Sequence, residues 1–166
     1  MWVDADFAGN LNRSESEDRD TARSRHGYVI VYEGCLIVHK SQMQTKIALS
    51  STESDYTGLS YALREAVPVI RLLREFKQRC FTSEEPIMKI HCKVYEDNSG
   101  ALEMAKKYKY RPRTKFLNIK LHHFRDYVER GEITIDKVST HDQHADYLAK
   151  PLDKVTQKKH RKKVQG

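Results

Sequence analysis

Residues 27–41 read "GYVIVYEGCLIVHKS", two runs rich in β-branched residues separated by Glu33-Gly34. Two such runs across a short break containing glycine are the sequence form of a β-hairpin. The opening "WVDADFAG" alternates, with Trp2, Asp4 and Asp6 on one side and Val3, Ala5 and Phe7 on the other, which predicts a strand with acids at its end. Between them, Gly9 to Arg25 is polar and highly charged and is expected as a long exposed loop. Three antiparallel strands in succession are therefore expected at the start of the chain.

From Ser50 to about Lys77 the apolar residues Tyr56, Leu59, Leu63, Val67, Ile70 and Leu73 recur every three or four positions, as a core-facing helix requires. Pro68 falls inside this pattern. It has no N–H to give and its ring crowds the carbonyl of Arg64, which predicts a kink or break between Arg64 and Pro68. "PIMKIHCKVYEDN" predicts a strand, with Ile90, Cys92 and Val94 alternating and Asp97 at its end, just before the helical "SGALEMAKKY". A further helix, "LNIKLHHFRDYVERG", stops at Gly131; "EITIDKVS" is the next strand and "HADYLAK" a short helix ended by Pro151. The order is three strands, helix, strand, two helices, strand, helix, an α/β arrangement without internal repeats. A chain of 166 residues is long enough for one domain with a core. We place that domain at residues 1–152, with 153–166 as a basic, flexible tail, because "KVTQKKHRKKVQG" shows no apolar face.

No run of about 18 apolar residues is present, which argues against a membrane role. "MWVDADFAGN" lacks the basic, apolar, small-residue order of a secretory signal, so an intracellular setting is expected. Cys35, Cys80 and Cys92 are odd in number and have no CxxC spacing, indicating neither a disulfide framework nor a zinc site but buried or incidental thiols. A net charge of +7 favours a polyanionic partner such as nucleic acid. The segment "KKYKYRPRTK" interleaves cations with tyrosines. Its Lys106, Lys107, Tyr108, Lys109, Arg111, Arg113 and Lys115, together with Asn98, are candidate nucleic-acid contacts: the cations track phosphates, and Tyr108 and Tyr110 lie against sugars or bases. A solvated basic loop is the plain alternative.

Four acids fall at element ends: Asp4, Asp55, Asp97 and Asp146. Each alone has an ordinary reading, Asp4 as a residue closing a strand, Asp97 as a turn acid and Asp146 as a surface acid. They can converge only if the first and fourth strands are neighbours. Such a carboxylate cluster repels itself unless divalent cations sit among the oxygens, and hard cations, above all magnesium, suit all-oxygen ligands. Two such ions about 3.5–4 Å apart form the usual phosphodiester-cleaving arrangement.

The motifs "VDADFAG", "RSRHGYVI", "ALSSTESDY", "YEDNSGAL", "RPRTKFLNIKLHHFRDYV" and "ADYLAKPL" occur in that order through Leu152. In them the chain resembles the ribonuclease H domain of copia-type LTR-retrotransposon polyproteins. The resemblance implies a ribonuclease H-like fold, a mixed five-stranded sheet flanked by helices. It further implies hydrolysis of the RNA strand of an RNA–DNA hybrid with two Mg2+ ions, manganese being a substitute. The implied partner is a reverse transcriptase domain of the same polyprotein, and the implied setting is a cytoplasmic virus-like particle or the nucleus. The implied metal ligands and catalytic acids are Asp4, Asp55, Asp97 and Asp146.

Within "SSTESDY" the family pattern carries two glutamates, of which the second is the ligand, and Asp55 stands in its place. Ser50 and Glu53 have capping-box spacing, which turns Glu53 toward the helix N-terminus; recruitment of Glu53 to the site remains as the alternative. Aspartate is one methylene shorter than glutamate, and metal sites are sensitive to small ligand displacements. The family also carries tryptophan where His39 stands and histidine where Phe116 stands. His141 or His144 is a candidate for the mobile histidine that assists product release in many ribonucleases H. These departures sustain a second reading, a catalytically impaired nucleic-acid-binding module that partners a reverse transcriptase.

Overall fold

The computed structural model describes residues 1–11, 18, 20–80, 90–106 and 124–165. Its strands are β1 (Trp2–Asp6), β2 (Arg25–Tyr32), β3 (Cys35–Met43), β4 (Cys92–Glu96) and β5 (Ile133–Lys137). They form one five-stranded sheet in the order β3-β2-β1-β4-β5. β1, β2 and β3 pair antiparallel, whereas β4 lies parallel to β1 and β5 parallel to β4. The expected hairpin turns at Glu33 and Gly34, which have φ of 49° and 81°. Two consecutive positive φ values bring the strands back with the twist that a two-residue turn needs, joining Tyr32 to Cys35.

The helices are α1 (Ser51–Cys80), α2 (Ser99–Lys106), α3 (124–129), α4 (Asp146–Ala149) and α5 (Lys154–Gln165), with a 3-10 turn at Thr140–Asp142. The α1 stripe of Leu59, Ala62, Leu63, Ala66, Val67 and Ile70 is buried against Val3, Tyr28, Ile30, Val94, Ile133 and Ile135 from four strands. Phe124 and Tyr127 of α3 complete this core, and Gly131 at φ 68° follows the helix. On the other face of the sheet α4 packs across β1, β2 and β3. That approach requires Gly27, where a Cβ would lie 2.5 Å from Leu148 Cβ.

Two expectations are corrected. Of the kink or break expected at Pro68, the break does not form, and α1 runs through it as one helix. The proline faces solvent, so the unpaired carbonyl of Arg64 can be hydrated, while buried Leu63, Val67 and Ile70 hold both sides of it to the sheet. Residues 154–165 are helix rather than flexible tail. Asp153 caps it, its Oδ1 accepting from the N–H groups of Val155 (2.9 Å) and Thr156 (3.1 Å), while His160 and Val164, one turn apart, are buried. The cysteines are free thiols, Cys35 and Cys80 exposed and Cys92 half-buried, which agrees with incidental rather than buried thiols. No described helix is long and apolar enough to cross a membrane.

Candidate active site

Parallel neighbours β1 and β4 bring their C-terminal ends side by side, and open α/β sheets bind ligands outside such strand ends. Their pairing is short, with Trp2 opposite Tyr95. Beyond it the carbonyl of Val3 accepts from Gln143 Nε2 at 2.7 Å, so a fully buried glutamine ties the segment before α4 to β1. This contact sets Asp146, at the start of α4, beside Asp4.

Asp4 is 1% exposed. Burial raises its pKa to about 8, against the lowering effect of the Lys150 ammonium and with further upward pushes from Asp146 and Asp55. Asp55 is also buried, and its carboxylate is held at both oxygens: Oδ1 accepts from the Ala5 N–H at 3.1 Å and Oδ2 from Asn98 Nδ2 at 2.7 Å. Burial raises it to about 6, with the Asn98 bond opposing and Asp97 adding to the rise. Asp97 Oδ2 accepts from Thr140 Oγ1 at 3.0 Å. Asp146 Oδ1 and both oxygens of Asp4 share the Lys150 ammonium, at 3.2 Å for the former and 3.0 Å for the latter two. Burial works against the charge on Lys150, but the two carboxylates outweigh it and hold the ammonium protonated.

The four acids singled out in the sequence thus meet at one end of the sheet. Glu53 does not join them: its N–H donates to Ser50 Oγ at 3.1 Å and its Oε2 accepts from the Leu49 N–H at 3.0 Å, which makes it a helix cap. Asn98 is also committed internally, since besides bonding Asp55 its Oδ1 accepts from the N–H groups of Gly100 (2.9 Å) and Ala101 (3.2 Å) and caps α2. Its side chain is half-exposed beside these bonds. Lys106 is exposed at the end of α2, and Lys107, Tyr108, Lys109, Tyr110, Arg111, Arg113, Lys115 and Phe116 lie outside the described residues. His141 is exposed on the 3-10 turn and His39 on β3. His144 is buried beside the Trp2 ring, with its Nδ1 3.0 Å from Nδ1 of His160.

Two charged residues of the site escaped the sequence reading. Lys150 stands four residues after Asp146, a spacing that puts both on one helix face and was legible as an ion pair. Glu96, next to Asp97, is fully buried. Its Oε1 accepts from the Asn98 N–H at 3.1 Å, whereas Oε2 has no hydrogen-bond partner. Burial, then Asp55, hold its pKa well above the carboxylate range. No feature of "VYEDN" distinguishes it from a strand-end surface acid.

The donor set fits a hard cation: the carboxylates are close enough to push one another's pKa up, two buried oxygens, Asp4 Oδ2 and Glu96 Oε2, lack a hydrogen-bond partner, and an ammonium already stands between Asp4 and Asp146. Among the described residues, however, no group of three or more histidine, cysteine or carboxylate side chains is arranged to hold a metal ion.

Comparison with known proteins finds relatives among mobile-element polyproteins. The chain is 29% identical over 152 residues to the "Retrovirus-related Pol polyprotein from transposon TNT 1-94" of Nicotiana tabacum, a match covering 90% of this chain and 10% of that protein. It is 31% identical over 153 residues to the polyprotein of transposon RE1 of Arabidopsis thaliana, covering 92% of this chain and 9% of that protein. The chain thus spans about a tenth of the length of these curated relatives. No family model matches it. Among solved structures it is similar to the N-terminal RNase H domain of a Mycobacterium tuberculosis protein, as a fusion with maltose-binding protein. The TM-score is 0.58 at 14% identity, with 97% of this chain and 94% of the other covered.

Proposed function

The chain is a homologue of copia-type Pol polyproteins with a ribonuclease H-like fold, and from that premise we propose that it is a metal-dependent ribonuclease H. Its substrate would be the RNA strand of an RNA–DNA hybrid, cut beside a reverse transcriptase domain of the same polyprotein, inside the cell. The observation that carries this reading is the convergence of Asp4, Asp55, Asp97 and Asp146 at the adjoining ends of β1 and β4. Kinship and fold support a general nuclease role; the metal rests on the chemistry of these four side chains, and the hybrid substrate on the resemblance to copia-type ribonuclease H domains.

Asp4, Asp55, Asp97 and Asp146 would hold two magnesium ions. Magnesium, when bound, supplies activation of a water and stabilisation of the leaving oxygen. The protein's own part is to present the carboxylates in fixed directions. Asp55 is aimed by Ala5 N–H and Asn98, Asp97 by Thr140, and Asp146 by the Gln143 bond that draws α4 to β1. Recognition of a hybrid would use backbone shape and 2′-hydroxyls, with little sequence preference.

A labelled RNA–DNA hybrid with magnesium, then manganese, tests the reading with wild type, Asp97→Asn and Asp55→Glu. Cutting by wild type and at least about a hundredfold less by Asp97→Asn is expected, since one ligand of the charge-stabilising cluster is lost. Equal cutting by both would refute the assignment. One observation favours the impaired-module reading: Asp55 is short, and both its oxygens already have protein partners. Hybrid bound but left intact by wild type, and cut by Asp55→Glu, would establish that alternative.

A further inference from the structure

We propose that Lys150 is the resident counter-cation of the acid cluster, and that its ammonium must leave Asp4 and Asp146 before a divalent ion can enter between them. The inference rests on the metal-dependent reading above. Its basis is geometric: Lys150 Nζ lies 3.0 Å from each oxygen of Asp4 and 3.2 Å from Asp146 Oδ1. A cation bound by those same oxygens would need the same space. With the ammonium there, no three described carboxylates are arranged around a common ion position.

The pair is asymmetric in what can move. Asp4 is buried on β1 and cannot follow a ligand outward without disturbing the sheet. The Lys150 side chain is 31% exposed. Its backbone is anchored by an N–H bond to the Asp146 carbonyl at 2.8 Å, and its flexible stem lets Nζ swing into water while the backbone stays in place. Lys150 therefore does two things. Without metal it neutralises carboxylates that would otherwise repel in a dry site. With metal it competes, so the ion concentration at which the site fills is set partly by a tethered amine.

Thermal melts across a magnesium titration test this with wild type, Lys150→Met and Lys150→Arg. In chelator Lys150→Met should melt below wild type. Magnesium should stabilise it with a half-maximal concentration at least about tenfold lower than for wild type, because a bound ligand stabilises by mass action and its competitor is gone. Lys150→Arg, which keeps a cation, should stay near wild type; stabilisation of Lys150→Met alone would be the extreme form of the expected result. Equal half-maximal concentrations for wild type and Lys150→Met, both stabilised by magnesium, would overturn the displacement and leave the metal reading standing. Stabilisation of neither would overturn both. Should Lys150→Met fail to fold, acylation of wild type followed by peptide mass spectrometry decides. Magnesium should raise the Lys150 rate several-fold relative to exposed Lys158, and an unchanged ratio would refute displacement.

Discussion

His26 is 1% exposed, its ring stacks on Tyr61 at 4.8 Å, and neither ring nitrogen has a hydrogen-bond partner. Burial, then the charges of Lys40 and Arg25, lower its pKa to about 4 from 6.5. Because the unfolded chain then binds the proton more readily, the stability His26 contributes is whole above pH 6.5 and is lost as pH falls toward about 4. Replacing it by phenylalanine, which keeps the stack and cannot ionise, should benefit the protein by about 2 kcal/mol more at about pH 5 than at about pH 7.5. Urea unfolding at both values measures this, and an equal effect at each would show that His26 finds a partner for its charge. At this scale the four aspartates were legible through the motifs that carry them, although only Asp97, just after β4, and Asp146, first in α4, lie at element ends, Asp4 being mid-strand in β1 and Asp55 inside α1. Glu96 and the double duty of Asn98 were not, since an exposure of 0% and a bond from Asn98 to Asp55 depend on residues about forty positions away.

Among the elements, the hairpin at Glu33-Gly34 and the helix beginning at Ser50-x-x-Glu53 declare themselves through local chemistry, positive φ in one and reciprocal capping in the other. α5 did not, although Asp153 is an ordinary cap residue, because a buried face of only His160 and Val164 is too narrow to show as a stripe. α4 is short and depends on its seat. A methyl group added at Gly27 would meet Leu148 Cβ at 2.5 Å and the Leu148 backbone at 2.9 Å, so α4, and Asp146 with it, would have to move. Gly27→Ala should therefore cost about 1–3 kcal/mol, as overpacking does, in chemical denaturation. An unchanged unfolding midpoint would mean that α4 yields freely and is no rigid platform for Asp146.

The whole chain carries a net charge of +7, so a nucleic-acid partner would be drawn by the overall charge of the protein rather than by its cluster of acids. Binding of a hybrid should weaken at least about tenfold between about 50 and about 200 mM salt, as counterion release requires. Affinity that ignores salt would point to apolar or stacking contacts instead. The sequence by itself determined the α/β class, the three antiparallel strands and the kinship with copia-type polyproteins, and it singled out the four acids as candidates. These follow from periodicity, turn chemistry and motif order, all of which are local in the chain. Only the tertiary structure decided that β4 lies against β1, that Lys150 stands between Asp4 and Asp146, that Glu96 is dry and that the last helix is packed. Those facts depend on which distant surfaces exclude water from one another, and burial is what turns an aspartate on a strand into a group that must find a cation.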